Sequence, residues 1–376
     1  MTDAPTTVAP QRASAPTRKS SGPPRVGIAG AGFITDFHIR ALKTLPLEIA
    51  AVCDPKADRA AATQRKWNLP SSYGGLGEML AEANLDIVHI LAPPSLHKAA
   101  ALQCLEAGVD VFLEKPAAVN TTECEELRAA AARYGRKIGV NHNAVFHPAF
   151  RRVVAAVQDC RLGAVQHVFA CVNVPLRQLQ AGQHGHWMFQ KPGNIVLEQG
   201  PHPLSQIFTL AGNMEQCSVL ASGAVQLNSG AWFYDTWQIS MVCERATAHC
   251  FLSFGKDCLD NWVHVIGEDA AATADLRRNV VRIAEKTRFM EPVDNYLVTR
   301  RGGKDMLAQG FGNLKDYIFG FLGLTPPADP FTAGMRGSIQ AFHNAWRSGA
   351  PLPVSLTEAT EVIRACELID AGRGHL

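Results

Sequence analysis

Long apolar runs, paired cysteines and blocks of like charge are all missing from this chain of 376 residues. No apolar stretch reaches the roughly 18 residues that a membrane-spanning helix needs, so neither a span nor a membrane partner is expected. The ten cysteines, at 53, 104, 124, 160, 171, 217, 243, 250, 258 and 366, contain no C-x-x-C pair. Scattered over a long chain, they indicate free thiols in a reducing compartment rather than disulfides or a zinc knuckle. Charged residues are only 19% of the chain, and 36 Lys plus Arg against 34 Asp plus Glu leave a formal charge of +2. With no basic block or basic aromatic platform, the electrostatic footprint of a nucleic-acid or anionic-membrane partner is lacking. What is present is a 47% hydrophobic composition. Over this length it suggests two domains with a cleft between them and a small-molecule partner. Residues 1–24 hold five prolines among Thr, Ser and Ala. They lack a secretory apolar segment and are too proline-rich for an amphipathic presequence, so a disordered tail and a cytoplasmic address are expected.

From Arg25 onward, β-branched runs alternate with helical patterns: Val26–Ala29 then Ile34–Leu45, Ile49–Cys53 then Lys56–Trp67, Ile87–Leu91 then Leu96–Ala107, Val109–Leu113 then Thr121–Tyr134, and Lys137–Asn141. Such alternation means βαβ units and a mostly parallel, doubly wound sheet, here an α/β Rossmann domain over residues 25–145. Asn120 with Glu123 starts the Thr121 helix as a capping box does, and Gly108 and Gly135 sit where helix-ending glycines belong. Beyond residue 146 a helix, Pro148–Cys160, leads to a strand over Val165–Val174. Four strand-like runs without helices between them follow, at Gln216–Ala224, Trp232–Cys243, Ala246–Phe254 and Trp262–Ile266. Consecutive strands imply an open, mostly antiparallel sheet, hence an α+β domain over 146–376 for substrate and oligomerisation. Residues 270–330 carry no clear pattern, and Ser338–Ser348 and Leu356–Asp370 read as closing helices. There is no internal repeat.

The first strand runs into Gly30-Ala31-Gly32-Phe33-Ile34-Thr35, a G-x-G-x-x-T form of the dinucleotide fingerprint. Gly30 permits the tight turn, and Gly32 lets backbone approach a pyrophosphate on the helix N-terminus. Thr35 at the third position is expected to loosen helix–strand packing slightly. Asp54 ends the second strand 22 residues after Gly32, the place of a carboxylate that binds the adenosine ribose and repels a 2′-phosphate. The cofactor is therefore expected to be NAD, with NADP less favoured. The plainer reading, that Asp54 caps the helix after Pro55, stays open, and Lys56 and Arg59 lie close enough to accommodate a phosphate.

Three further segments, Ala92-Pro93-Pro94-Ser95-Leu96-His97, Glu114-Lys115-Pro116 and Gly193 through Glu198-Gln199-Gly200-Pro201-His202, make the chain resemble the glucose–fructose oxidoreductase / inositol dehydrogenase / MocA (Gfo/Idh/MocA) family. The resemblance is clear over residues 25 to about 210 and looser beyond. It implies a Rossmann domain joined to an open antiparallel sheet, and an NAD(P)-dependent oxidoreductase acting on CH–OH groups of a sugar, cyclitol or derivative. Lys115 follows a parallel strand at the edge where open α/β sheets bind ligands. Its ammonium suits the oxygen that changes between alcohol and carbonyl; in isolation it would read as a surface lysine. His202 suits general acid/base work, with a helix-start histidine as the plain alternative. Were the segment one helix, Glu198 and His202 would share a face at i, i+4, with Glu198 orienting the imidazole. Glu198 stands where the family usually has Asp, and Ser205 where an Asp commonly follows; both put inherited sugar specificity in doubt.

The remaining expected contacts are Gly30, Gly32, Phe33, Ile34, Asp54, Ala92, Pro93, His97, Glu114, Lys115 and Asn143 for the cofactor. For the substrate they are Lys115, His142, Trp187, Glu198 and His202. His97 reads equally as a nicotinamide-pocket residue or a helix cap, Glu114 as orienting the loop or the lysine, and Trp187 as a pocket wall or plain core. His184, His186, Glu198 and His202 are metal-ligand types without metal-ligand spacing, so no metal is expected. Two other functions fit the same residues. One is a lyase or glycosidase that uses tightly held NAD transiently; the other is a nucleotide-sensing binding protein, which would not need Lys115 and His202. An exposed sheet face in the second domain further predicts a homodimer or homotetramer.

Overall fold

Strands β1 (Arg25–Ala29), β2 (Glu48–Cys53), β4 (Ile87–Ile90), β5 (Asp110–Leu113) and β6 (Ile138–Val140) arise where β-branched and aliphatic residues cluster between polar turns. With the short β3 (Ser71–Tyr73) they make a six-stranded parallel sheet in the order β3-β2-β1-β4-β5-β6. The computed structural model describes residues 22–327 and 329–373; of the expected tail, residues 1–21 lie outside them. Parallel strands covered on both faces need apolar side chains on both. One face, with Ala51, Val88, Ile90, Val111 and Leu113, packs against α3 (Leu76–Glu82), α4 (Pro94–Glu106) and α5 (Thr121–Tyr134). The other, with Val26, Ile28, Val52, Ile87 and Phe112, packs against α1 (Thr35–Leu42), while α2 (Ala57–Trp67) lies by the outer strands.

The second unit holds α6 (Pro148–Gln158), β7 (Val165–Asn173), the single turn α7 (Arg177–Gln180), α8 (Asn194–Gln199), α9 (Pro201–Ala211), β8 (Met214–Gln226), β9 (Trp232–Cys243), β10 (Thr247–Ser253), β11 (Asp260–Gly267), β12 (Ala270–Asp275), β13 (Val280–Glu285) and α10 (Glu291–Phe321). Its seven strands run β13-β12-β11-β7-β10-β9-β8, and every neighbouring pair is antiparallel except β7–β10. In β9 every second residue from Gln238 to Val242 is exposed, so one sheet face is buried and the other is not.

Several elements differ from expectation. Strand β3 and helix α3 were unforeseen, because three polar residues and a seven-residue helix are too short to set up a period. Helix α1 stops at Leu42 rather than Leu45, since Pro46 lies just beyond and restricts the residue before it. Helix α4 begins at Pro94, a residue suited to a first helical position, rather than at Leu96. The unpatterned stretch 270–330 contains β12, β13 and the 31-residue α10, whose interior glycines Gly302, Gly303, Gly310 and Gly312 hide its periodicity.

The last two helices, α11 (Pro330–Ser348) and α12 (Leu356–Ala371), return to the first unit. Met335, Ile339 and Phe342 of α11 complete the apolar face of β1 and α1, and α12 packs on α5, α8 and α9. Between them the chain crosses the β6 edge: Val140 N–H donates to the Val354 carbonyl, and Gly139 pairs with Ser355.

Candidate active site

The glycine loop is closed by its own backbone. Gly30 has φ +110°, its N–H donates to the Cys53 carbonyl, and a Cβ there would stand 2.8 Å from the Leu91 carbonyl oxygen. Only glycine suits such a turn. Thr35 does not loosen the junction: it is buried, and its hydroxyl donates to the Gly30 carbonyl at 2.9 Å, tying the helix to the turn. Asp54 is nearly buried and accepts the Ala31 N–H at 2.9 Å and the Lys56 N–H at 2.8 Å, so it caps the following turn and also clamps the loop. The two readings of this residue are therefore compatible, because each carboxylate oxygen keeps a lone pair. At Gly32 a Cβ would meet nothing within 4 Å, Phe33 is 83% exposed, and Ile34 begins α1 with no side-chain cap. An open backbone approach, uncapped helix N–H groups and a carboxylate ending β2 fit a dinucleotide: Gly30–Ile34 would hold its pyrophosphate and Asp54 its ribose.

The carboxyl edges of β4, β5 and β6 carry the other candidates, beside the place where the strand order reverses between β1 and β4. Lys115, after β5 and joined to Pro116 by a cis peptide bond, is 13% exposed. Its ammonium donates to Glu198 Oε1 and to the Glu198 carbonyl, both at 2.8 Å, leaving one of its three protons for a ligand. Glu114 turns inward. Its Oε1 accepts from His38 Nε2 and Asn141 Nδ2, both at 2.7 Å, and its Oε2 accepts the Lys115 N–H. Burial alone would raise its carboxyl; the His38 hydrogen bond, Asn141 and Lys115 outweigh that and hold it below the ordinary range.

The expected i, i+4 relation of Glu198 and His202 does not form. The helix breaks at Gly200, where a Cβ would stand 2.4 Å from the Val196 carbonyl oxygen, so Glu198 ends α8 and His202 begins α9. No hydrogen bond joins the two; Glu198 takes Lys115 instead. His202 and His142 stand near Lys115. Burial, then the Lys115 charge, lowers His202 to about 3 and His142 to about 4, so both imidazoles are neutral at ordinary pH.

His97 does not cap α4, whose start has no side-chain cap, but cross-ties two loops. It is fully buried, with Nδ1 against the Pro116 carbonyl at 2.9 Å and Nε2 against that of Ala92 at 2.8 Å, and it fastens the Ala92–Pro93 loop to the Lys115 loop. Asn143 is buried in the turn after β6, and Trp187, half-buried, packs on the core with its carbonyl accepting from Asn194. Three residues at the site went unforeseen: His38, His89 and His343, a buried row behind Glu114. The only hint in the sequence was a histidine inside the otherwise aliphatic Ile87-Val88-His89-Ile90.

Comparison with known proteins bears on the family and the fold. Residues 24–142 match the family model described as "Oxidoreductase family, NAD-binding Rossmann fold" (GFO_IDH_MocA). This part of the chain is an NAD-binding Rossmann domain of the Gfo/Idh/MocA family. The chain is 35% identical over 207 residues to trans-1,2-dihydrobenzene-1,2-diol dehydrogenase of Sus scrofa, covering 53% of this chain and 59% of that one. It is 28% identical over 187 residues to 1,5-anhydro-D-fructose reductase of Ensifer adhaerens, covering 47% and 54%. The chain thus spans about half the length of the curated relatives it matches. Levoglucosan dehydrogenase, solved with NADH and levoglucosan, shares the fold over 93% of this chain and 97% of that one, at TM-score 0.76 and 15% identity.

Proposed function

We propose that the chain is an NAD-dependent dehydrogenase, with NAD preferred to NADP, that interconverts a secondary alcohol and a ketone on a sugar, cyclitol or related polyhydroxylated ring. The observation that carries this reading is the Lys115 ammonium, held on Glu198 at 2.8 Å at the carboxyl edge of the NAD-binding sheet, beside a neutral His202. The names of the related proteins, a ring diol dehydrogenase and an anhydro-sugar reductase, support the substrate class.

Bound NAD would supply the hydride acceptor. Within the chain, Glu198 fixes the ammonium by two of its protons, and the third points a positive charge at the substrate oxygen. As the hydroxyl loses its proton, that charge stabilises the developing alkoxide. His202, kept neutral by burial and by Lys115, has a lone pair for the hydroxyl proton and enters as the base. Glu114 holds the Lys115 backbone, and His142 lines the same buried corner. Trp187 would wall the substrate side.

A second copy of the chain is the expected partner, forming a homodimer or homotetramer. Apolar side chains left exposed on the second sheet, Leu220, Trp232 and Val242, and along α10, Phe311 and Phe321, support association. The ten free thiols suit a reducing, cytoplasmic setting, and no helix among the described residues is long and apolar enough to cross a membrane. The test is a panel of cyclic polyols and their ketones assayed by nicotinamide absorbance with NAD, NADP and the reduced forms. Stoichiometric change in the nicotinamide with one ring class is the expected result. Product formation without net cofactor change would overturn the reading in favour of transient NAD use.

A further inference from the structure

Three histidines far apart in the sequence form one file through the first unit. His38 of α1 and His89 of β4 are fully buried, and His343 of α11 is 2% exposed. Their ring nitrogens meet in sequence: Glu114 Oε1 to His38 Nε2 at 2.7 Å, His38 Nδ1 to His89 Nδ1 at 2.8 Å, and His89 Nε2 to His343 Nε2 at 3.0 Å. Phe112, with its ring 4.9 Å from His89, and Phe342 wall the file. The charged and titratable groups around it are Glu114, Lys115, His97, His142 and His202 at the inner end and Arg347 at the outer end, with the Asn141 amide on Glu114.

The contacts fix where each proton must lie, given one proton per neutral ring. Glu114 as a carboxylate only accepts, so His38 donates from Nε2 and offers a lone pair at Nδ1. His89 must then donate from Nδ1, leaving Nε2 as acceptor, and His343 must donate from Nε2. Every donor points towards Glu114. Burial places His89 well below the ordinary histidine range and His343 at about 3, which agrees with neutral outer rings. Apolar side chains would fill this interior at lower risk, since a buried polar group left unpaired is costly.

We propose that His343, His89 and His38 are positioning residues that act as a reversible proton relay ending on Glu114, through which α11 sets the charge behind Lys115. A proton entering at His343 Nδ1, the ring atom outside the file, sends the Nε2 proton of His343 to His89 Nε2, and the Nδ1 proton of His89 to His38 Nδ1. Three N–H bonds form and two break for one proton taken from water, and His38 ends as an imidazolium paired with Glu114. The loaded relay cancels the negative charge that Glu114 presents to Lys115. This inference rests on the dehydrogenase reading for its effect on turnover, but not for the relay itself.

Side-chain 15N NMR of the full chain tests it. At neutral pH, His38 and His343 should show the Nε2–H form and His89 the Nδ1–H form, and on acidification all three should change at one midpoint. In His343→Phe the loaded state loses the acceptor for His89 Nε2–H, so the midpoint read at His38 should fall by about half to one pH unit. The acid limb of kcat/KM should move with it. His343→Gln, whose amide keeps a hydrogen-bonding partner in place, should stay near wild type and serves if the Phe variant does not fold. An Nε2–H form at His89 in neutral solution, separate midpoints for the three rings, or a moved midpoint with an unmoved acid limb would overturn the proposal. If no cyclic polyol turns over while the tautomers are as described, the dehydrogenase reading fails and the relay stands.

Discussion

Lys115→Ala should lower turnover by on the order of 10² to 10⁴ while leaving NAD affinity nearly intact, because a positioned charge or proton-transfer group is typically worth that much. Single-turnover kinetics beside nucleotide titration separate the two, and near wild-type turnover in a folded variant would remove Lys115 from the chemistry. Asp54→Ser should weaken NAD by about one to two decades and favour NADP, since a charge-assisted hydrogen bond and the repulsion of a 2′-phosphate are both lost. Unchanged affinities for both nucleotides would reduce Asp54 to the loop clamp it forms with Ala31 and Lys56. At this scale the residues set in contiguous motifs, Gly30, Gly32, Lys115 and His202, were legible in the sequence. The partner of Glu198 was not, because Pro201 and Pro203, without N–H groups, mark the break at Gly200 but not which distant side chain the carboxylate then meets. The histidine file was hidden for a different reason: its members come from three segments, and each alone is an ordinary buried imidazole.

Elements that carry their own period, such as α2, α5, β2 and β9, were legible almost to the residue, and Asn120 does accept the Glu123 N–H as the capping pattern requires. Those fixed by neighbours were not: β3 exists because β2 offers it an edge, and β10 runs parallel to β7, a choice no local pattern encodes. The junction of β6 with α11 shows how tight such tertiary choices are. A Cβ on Gly139 would stand 2.4 Å from the Phe342 ring, and Phe112 closes the same space. Gly139→Ala should therefore destabilise the chain by about 1–3 kcal/mol, the usual cost of overpacking. A denaturant titration checks it, and a midpoint equal to wild type would mean that α11 shifts freely.

For the molecule as a whole, buried histidines set the response to acid. His142 and His147 are lowered to about 4 and His202 and His343 to about 3, each chiefly by burial. Folded pKa values below the unfolded value of about 6.5 mean that the unfolded chain binds more protons. Stability is then complete above about pH 6.5 and falls as pH drops towards 4, by up to ~1.4 kcal/mol per histidine per pH unit where the shift is whole. Melting temperature should hold between pH 7.5 and about 6.5 and decline from there to pH 5. A flat profile would mean that these rings are solvated. The two-sheet architecture itself was legible in the change from βαβ alternation to consecutive strands.

Because α11 supplies Met335, Ile339 and Phe342 to the parallel sheet, and residues 354–355 seal its β6 edge, the nucleotide-binding half is written in two separated stretches of the message. During synthesis, residues 25–145 emerge before residues 330–355 and lack that helix and edge cover until those follow. Until then the β1–α1 face and the β6 edge stay bare, the kind of transient surface that draws chaperones and aggregation. A fragment ending at residue 145 should accordingly collect as insoluble or NAD-silent material, and adding a separate 325–376 peptide should raise its soluble yield.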